Sequence, residues 1–179
     1  KASVVNNTYF NVDADGVLTV KPGVTLPAHI DLPLNAKKIA REAFKDKDFT
    51  SIDLKNVEEI GEEAFIRCVN LTTVKMQRVK VVKGGAFRGT ALTEIDLPAS
   101  IETIETGAFD ITNLVKVICR ATTPPSVGGS FRSTNSGQRV LYVPASSIEN
   151  YVTNWNSELN SYFRGLPKRG INYIPYPIQ

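Results

Sequence analysis

Hydrophobic residues recur along the chain in columns that repeat about every 22 residues. The clearest column is an Ala-Phe pair, which occurs four times, with phenylalanines separated by 21, 22 and 22 residues. These phenylalanines are Phe44, Phe65, Phe87 and Phe109. A fixed period of about 20–50 residues indicates a protein built from stacked structural repeats. The pattern therefore predicts a solenoid, a fold that presents a long surface and seldom encloses a catalytic pocket.

Five further columns accompany each Ala-Phe pair. Apolar residues lie five and eight positions before the phenylalanine, and three more follow it with the spacing L-x-x-I-x-L. The members are Ile39, Ile60, Val82 and Ile104; Ala36, Val57, Val79 and Ile101; Phe49, Leu71, Leu92 and Leu114; Ile52, Val74, Ile95 and Val117; and Leu54, Met76, Leu97 and Cys119. The I-x-L part alternates with a period of two, which predicts a strand whose Ile and Leu side chains face inward.

Stacked coils would place these columns in one continuous core, because about 22 residues cannot bury their own apolar side chains. Five strands would then form a parallel sheet about 20 Å wide. The first strand is predicted at residues 30–32, which lie 22 residues before residues 52–54. Residues 26–30 also resemble residues 97–101, and this gives a competing register for the first coil.

The N-terminal residues 1–23 are predicted to form a β-hairpin that caps the solenoid. Strand-like runs at 9–12 and 17–20 flank an Asp-Gly turn, which is a hairpin signal. The turn also matches the first half of a calcium loop through Asn11, Asp13, Asp15 and Gly16. The twelfth position of that loop, where a bidentate Glu is needed, is Pro22, so a plain turn is favoured over a calcium site.

Residues 121–179 leave the repeat and are predicted to cap the other end of coils that occupy residues 24–120. The segment 122–125 ends the last coil, 127–137 is expected to form a loop, and 139–144 is expected to form a strand. Together the three regions make a single domain.

A helix is predicted after this strand, with Ser146 or Ser147 as its N-cap and with Gly165 and Pro167 at its end. Its apolar stripe contains Ile148, Tyr151, Val152, Trp155, Leu159, Tyr162 and Phe163. Such a stripe could be a ligand platform, but it is more typical of a packing face, since the end of a solenoid must be covered. The tail at 173–178 is expected to be extended because it contains X-Pro bonds.

Composition argues against several classes of function. The chain of 179 residues has a net charge of +3, with acidic and basic residues interleaved and no run of five like charges. Neither a nucleic-acid surface nor a polybasic membrane patch is indicated. No apolar stretch approaches the roughly 20 residues of a membrane helix. No signal peptide is present, and the start at Lys1 fits a processed or truncated chain.

The reactive residues are too few for an active site. Cys119 occupies the inward Leu54 column, and Cys68 lies two coils away, about 10 Å, which exceeds the roughly 7 Å Cα separation of a disulfide. Both cysteines are therefore expected to be free. His29 is the only histidine, so no zinc site and no Ser-His or Cys-His arrangement is predicted. The chain is expected to be no enzyme and to hold no cofactor.

The repeats resemble those of BspA-like leucine-rich-repeat proteins, the TpLRR class found in gut and oral Bacteroidetes. Residues 60–74 and 97–109 carry the resemblance, and 123–125, 141–144 and the aromatic residues at 151 and 155 resemble the C-terminal ending of those proteins. The repeats depart from one another at two positions. Lys83 and Glu105 stand where the second repeat has Gly61, and Gly89 is offset by one residue from the position that Cys68 occupies.

This resemblance implies a leucine-rich-repeat solenoid of right-handed α/β or β-rich coils with a parallel sheet on one face. It implies an extracellular or outer-surface location with the signal sequence removed, often with a lipid anchor outside this chain. The typical role of the family is adhesion or binding of a protein, and it transfers no catalytic residue. A glycan ligand is also compatible, and a spacer without binding activity is the alternative.

The candidate binding residues are the outward positions of the predicted strands. They are Ser51, Asp53, Lys55, Thr73, Lys75, Gln77, Glu94, Asp96, Lys116, Ile118 and Arg120. Their alternating charges could instead pair across strands and leave a solvated face. Ile118 is the unexpected apolar member, and the C-terminal segment could cover it.

Overall fold

The computed structural model describes residues 7–132, 139–164, 166–168 and 171–179. In chain order the strands of these ranges are β1 (Phe10–Val12), β2 (Val17–Val20), β3 (His29–Asp31), β4 (Lys38–Ile39), β5 (Ser51–Asp53), β6 (Glu59–Ile60), β7 (Thr73–Lys75), β8 (Val81–Val82), β9 (Glu94–Leu97), β10 (Thr103–Ile104), β11 (Lys116–Cys119), β12 (Ser126–Val127), β13 (Val140–Val143), β14 (Leu166–Lys168), β15 (Ile171–Ile174) and β16 (Tyr176–Pro177). A 3₁₀ turn (Ala145–Ser147) leads into α1 (Ile148–Asn154) and α2 (Asn156–Tyr162). They form a solenoid of about five coils.

Each coil contributes a short strand to a sheet that the sequence did not predict. This sheet has the order β1-β2-β4-β6-β8-β10-β12 and is parallel except for its first pair. Its coil strands are two residues long, so they show no alternation that could be recognised in the sequence. Parallel pairing with the strands of the adjacent coils holds these short strands in place.

The opposite face carries the strands that the L-x-x-I-x-L pattern predicted. Ile30 pairs with Ile52 and Ile52 with Val74, which confirms the first strand at the 22-residue interval. The competing register is wrong. Ala36 N donates to Pro33 O in the same way as Ile101 N donates to Pro98 O, so residues 32–36 and not 26–30 correspond to 97–101.

This face is divided into two sheets instead of the single five-stranded sheet that was predicted. One sheet has the order β3-β5-β7 and the other β9-β11-β13-β16. At the division Ala91 N donates to Leu71 O. The strands on either side stay in register, Ser51 with Thr73 and Lys116 with Glu94.

A ladder of stacked phenylalanine rings runs through the core. Ring centroids lie 5.0 Å apart between Phe44 and Phe65 and between Phe65 and Phe87, and 5.4 Å apart between Phe87 and Phe109. Phe131 extends the ladder with a further step of 5.4 Å. The planes of successive rings are inclined by 6–20°.

The repeat continues past the point where the sequence indicated a loop. Val127 pairs with Ile104 in the seven-stranded sheet, and Phe131 lies 22 residues after Phe109. The loop prediction for 127–137 is therefore wrong at Val127, which lies in β12, whereas 128–131 form bends and turns of this further coil, and residues 133–138 lie outside the described ranges. Ser130 in place of the usual alanine concealed this coil.

Both cysteines are free and buried, as predicted. Cys119 pairs in register with Leu97 in the inward column, and the Cys68 thiol donates to Phe44 O at 2.9 Å. Burial raises the pKa of the Cys68 thiol to about 12 and also raises the pKa of Cys119. Both groups therefore remain protonated thiols near neutral pH.

The N-terminal cap is the predicted hairpin. β1 and β2 are antiparallel, with Phe10 opposite Val20, and β2 then continues the seven-stranded sheet beside β4. Asp13 Oδ1 accepts hydrogen bonds from Asp15 N and Val17 N, both at 2.9 Å. This carboxylate oxygen closes the turn through backbone groups, as the plain-turn interpretation requires.

The C-terminal cap begins with the predicted strand β13 and continues in two short helices where one was predicted. Ser147 is the N-cap of α1 but makes no side-chain capping bond, and the helical path is interrupted at Trp155. The apolar stripe is a packing face, as predicted: Tyr151, Trp155 and Phe163 are buried. The extended tail is also confirmed, since Tyr176–Pro177 pairs with β13. Of the predicted helix-ending residues, Gly165 lies outside the described ranges.

Side chains of this cap bind backbone groups that a further coil would otherwise bind. Gly107 N donates to Gly129 O of the next coil, whereas Gly129 N donates to the Glu158 carboxylate at 2.6 Å. Trp155 Nε1 donates to Pro125 O at 2.8 Å, and the Tyr151 hydroxyl donates to Ala121 O at 2.9 Å. These backbone groups at the edge of the last coil thereby form hydrogen bonds without another coil.

A buried arginine joins the last two coils to the cap. The Arg139 guanidinium donates to Leu114 O at 3.0 Å and to Phe131 O at 2.6 Å, and it lies over the Phe163 ring at 5.8 Å. Burial lowers the pKa of Arg139 to about 10, so it is still charged at neutral pH. Its bonds place β13 beside β11, which positions the surface described below.

The turn before each ladder phenylalanine requires a left-handed backbone. The residue two positions before the ring has a φ of 54° at Glu42, 53° at Glu63, 63° at Gly85, 67° at Gly107 and 64° at Gly129. A side chain is disfavoured there by about 1–2 kcal/mol.

We expect Gly107→Ala to destabilise the protein by roughly 1 kcal/mol, because its Cβ would meet no atom within 4 Å and only the backbone conformation is strained. Gly128→Ala is the matched control, since its Cβ also meets open space but its φ is not in the left-handed region. Urea unfolding of both variants measures the difference. Equal stabilities would contradict the prediction.

We expect Glu158→Gln to change the pH dependence of stability. Burial raises the pKa of Glu158, so its contribution to folding is complete below about pH 4.5 and is lost as pH rises through the folded value. Glutamine keeps an acceptor for Gly129 N but does not titrate. The free energy of unfolding of the wild type relative to the variant should therefore fall between mildly acidic and neutral pH.

Urea titrations across that pH range provide the measurement for Glu158. The exposed Glu149→Gln substitution in α1 is the control for loss of a carboxylate from the same cap. Parallel pH profiles of the wild type and Glu158→Gln would show that the buried carboxyl does not respond as proposed.

Candidate functional site

The predicted binding face consists of the outward side chains of the two divided sheets. We call the residues on or directly after β3, β5 and β7 the first part of the face, and those on or directly after β9, β11, β13 and β16 the second part. The two parts differ in how their polar groups are used.

Asp53 is the centre of the first part. Only 6% of this residue is exposed, and its carboxylate accepts from Lys55 N and Gln77 Nε2 at 3.0 Å each. Lys55 Nζ lies at 3.1 Å and Lys75 Nζ at 3.4 Å. Burial raises the pKa of Asp53, but these hydrogen bonds together outweigh it and lower the pKa to about 2. Asp53 therefore organises its neighbours and has little surface for a ligand.

The remaining charges of the first part also pair with one another. Lys55 Nζ lies 2.8 Å from Asp31, and Ser51 Oγ lies 2.6 Å from His29 Nδ1. Thr73, which pairs in register with Ser51 on the neighbouring strand β7, is exposed. This part of the face follows the alternative that the sequence left open, in which charges neutralise each other across strands.

The contact between His29 and Ser51 corrects the prediction that no Ser-His arrangement exists. His29 Nε2 also lies 3.7 Å from Asp31, so the three side chains occur in a row. The histidine side chain is 64% exposed, and the recesses described below are lined by other residues. Acyl-transfer catalysis also needs a positioned oxyanion site beside the nucleophile, and none of the three recesses described below is lined by this row.

The second part of the face keeps its two cations in ion pairs. Arg120 donates two hydrogen bonds to the Asp96 carboxylate, both 2.7 Å long. Lys116 Nζ lies 3.1 Å from Glu94. Both pairs link β11 and the residue after it to β9, one on each side of Ile118.

An apolar row crosses the centre of the second part. Ile118 pairs in register with Tyr142, and Tyr142 pairs with Tyr176. The two tyrosine rings are 5.5 Å apart and inclined by 33°, and both residues are partly exposed. The sequence prediction included Ile118 but missed both tyrosines, although Tyr142 directly follows the inward Leu141 of a predicted strand.

A recess of about 360 Å³ opens above Ile118, and we call it the Tyr142 recess. It is lined by Lys116, Ile118, Arg120, Tyr142, Ile178 and Gln179. Ile178 is held beside β13 because its N donates to Val143 O at 2.9 Å. The C-terminal segment, which the sequence left open as a cover for Ile118, leaves this residue partly exposed and lines the recess through Ile178 and Gln179.

Two other recesses lie at the edges of the coils, away from this face. One of about 370 Å³ is formed near Gly84, Glu105 and Gly128, and one of about 430 Å³ near Glu62, Arg88 and Asp110. In the second of these, Arg88 is paired with Glu63 at 2.8 Å. Neither is lined by an aromatic residue, so the Tyr142 recess is the better candidate.

Metal chemistry finds no support in the described ranges. Residues 7–132 and the described segments after them contain no cluster of three or more His, Cys, Asp or Glu side chains arranged for an ion. The acidic residues of the face are used in the ion pairs given above.

We expect Asp53→Asn to destabilise the protein by about 1–2 kcal/mol at neutral pH, because it removes a buried carboxylate with a lowered pKa. The contribution of Asp53 is present above the ordinary value of 3.8 and is lost as pH falls toward 2. The two proteins should therefore converge in stability near pH 2, as measured by thermal unfolding. Asp31→Asn is the control, since Asp31 is exposed. A constant difference at all pH values would contradict the assignment.

Comparison with known proteins assigns the repeats to a family. Residues 28–160 match the BspA type leucine rich repeat region in six copies. No curated protein matches the chain. The fold is similar to a leucine rich cell surface protein of Faecalibacterium prausnitzii A2-165, with a TM-score of 0.58 and 21% identity. That match covers 88% of this chain and 41% of the other, so the chain spans less than half of that protein.

A leucine-rich repeat protein of Bacteroides ovatus ATCC 8483 is a weaker structural match. Its TM-score is 0.40 at 17% identity, and the match covers 76% of this chain and 53% of that one.

In the parts of the chain that the structure describes, every helix is too short or too polar to cross a membrane. The six matched repeats cover most of the chain, and the structure shows them as stacked coils with capped ends. The chain belongs to the BspA-type leucine-rich repeat family.

Proposed function

We propose that this chain is a binding or adhesion module, secreted or displayed on the outer cell surface, and that the second part of the sheet face is its contact surface. The ligand would be an extracellular protein or glycan, and attachment to the cell would come from a lipid anchor outside this chain. A cell-surface description of the Faecalibacterium relative is compatible with this location.

The observation that carries the proposal is the contrast between the two parts of the face. In the first part, the polar side chains are occupied by one another around Asp53. In the second part, an apolar and aromatic row lies partly open beside a recess of about 360 Å³. Partly exposed tyrosines supply contact area with little loss of side-chain entropy, and they are common at the centres of binding sites.

A spacer in a larger surface assembly is the second candidate. The charge pairing of the first part supports it, because a self-neutralised surface has no need of a partner. The row of Ile118, Tyr142 and Tyr176 favours the binding module, since a spacer gains nothing from exposing aromatic rings.

We expect the purified chain to bind at least one ligand saturably in a screen of extracellular-matrix proteins, mucins and glycan arrays. The double variant Tyr142→Ala and Tyr176→Ala should weaken that binding by about tenfold or more, because it removes both rings of the row. Surface plasmon resonance gives the affinities, and thermal unfolding confirms that the variants are folded.

The matched control for this experiment is Thr73→Ala, an exposed position on the first part of the face. It should leave the affinity unchanged. Loss of binding in the Thr73 variant with none in the tyrosine variant would place the contact on the first part. If a normally folded chain binds no ligand in the screen, the spacer is favoured.

A further inference from the structure

The shape and lining of the Tyr142 recess indicate the chemistry of its ligand. A recess of about 360 Å³ falls near the lower end of the range of small-molecule sites, about 300–1,000 Å³. A flat protein partner would instead need roughly 800 Å² of contact surface from each side. The recess therefore suits one compact group of a ligand.

The charges around the recess indicate a neutral ligand. Arg120 is neutralised by Asp96 through two 2.7 Å hydrogen bonds, and Lys116 is neutralised by Glu94 at 3.1 Å. An anionic ligand would compete with Asp96 and Glu94 for cations that are already paired, and a cationic one would meet Lys116 and Arg120. A neutral ligand avoids both costs.

The recess offers both an apolar surface and polar groups at its rim. Ile118, Ile178 and one side of Tyr142 provide the apolar part. The paired guanidinium and carboxylate, together with the Gln179 amide, provide donors and acceptors in adjacent positions. A ligand that matches has one apolar C–H face and hydroxyl groups around its edge.

We propose that the Tyr142 recess binds a neutral saccharide residue, with its C–H face on Ile118 and Tyr142 and its hydroxyl groups at the rim. A pyranose ring has this combination of surfaces, and the electron-rich face of an aromatic ring attracts the positive ends of C–H bonds. This inference rests on the proposed binding function and names the class of ligand for the same surface.

Lys116 lies over the Tyr142 ring, with its Nζ 5.6 Å from the ring centroid and 3.1 Å from Glu94. A saccharide on this side of the ring would take the place of the ammonium there, and Glu94 is the nearby partner that the ammonium would retain.

The test is a titration of the full chain with neutral oligosaccharides of hexose and N-acetylhexosamine, chosen from an array screen, and with sialylated oligosaccharides as the charged comparison. We expect saturable binding of a neutral member, weakened roughly tenfold by Tyr142→Ala and by less than about threefold by Tyr142→Phe, which keeps the ring. The affinity should be nearly independent of salt concentration, because no net charge is involved.

The outcomes separate this inference from the proposed function. If a protein ligand binds and Tyr142→Ala abolishes its binding, while no saccharide binds, the binding module stands and the saccharide inference is overturned. Preference for sialylated probes with strong salt dependence would overturn it as well. Saccharide binding that is unaffected by Tyr142→Ala but lost in Thr73→Ala would move the site to the first part of the face. Thermal unfolding of each variant shows whether a loss reflects the site or the fold.

Discussion

Contact between successive coils is the constraint on which the whole structure depends. The phenylalanine rings stack at 5.0–5.4 Å from Phe44 to Phe131, and backbone N–H groups of each coil donate to carbonyl groups of the adjacent coils. A coil alone has neither a core nor satisfied hydrogen bonds. Stability in such a protein is a sum over neighbouring coils, so the two ends are its weakest points. This explains why much of the chain outside the repeats is devoted to closing them.

The binding surface is a product of that closure. Arg139 ties β13 to the carbonyl groups of the preceding coils, and the tail adds β16 beside it. Tyr142 and Tyr176 reach the sheet face only through these two strands. The coils with the most regular sequence carry the self-paired charges around Asp53. The irregular C-terminal part carries the aromatic row, so the cap both protects the core and supplies the distinctive surface.

Sequence reasoning reached the core more reliably than the face. Inward columns are constrained by the coils on both sides, so the repeat alone places Cys119 with Leu97. The seven-stranded sheet was missed because two-residue strands held by backbone contacts leave no side-chain pattern. The division of the predicted sheet between β7 and β9 was missed because the L-x-x-I-x-L columns continue across it. Outward residues do not pack against neighbouring coils in the core, so they do not recur as columns in the sequence. For this reason Tyr142 and the contact of His29 with Ser51 were not predicted.

The cap recognises features that are common to every coil. Glu158 and Trp155 bind backbone groups of Gly129 and Pro125, and Trp155 and Phe163 contact the last ring of the ladder. A backbone amide and a ladder phenylalanine recur at the same place in each repeat. Duplication or deletion of whole coils would therefore present the cap with an equivalent docking edge. The number of coils is free to change during evolution while one ending serves solenoids of many lengths.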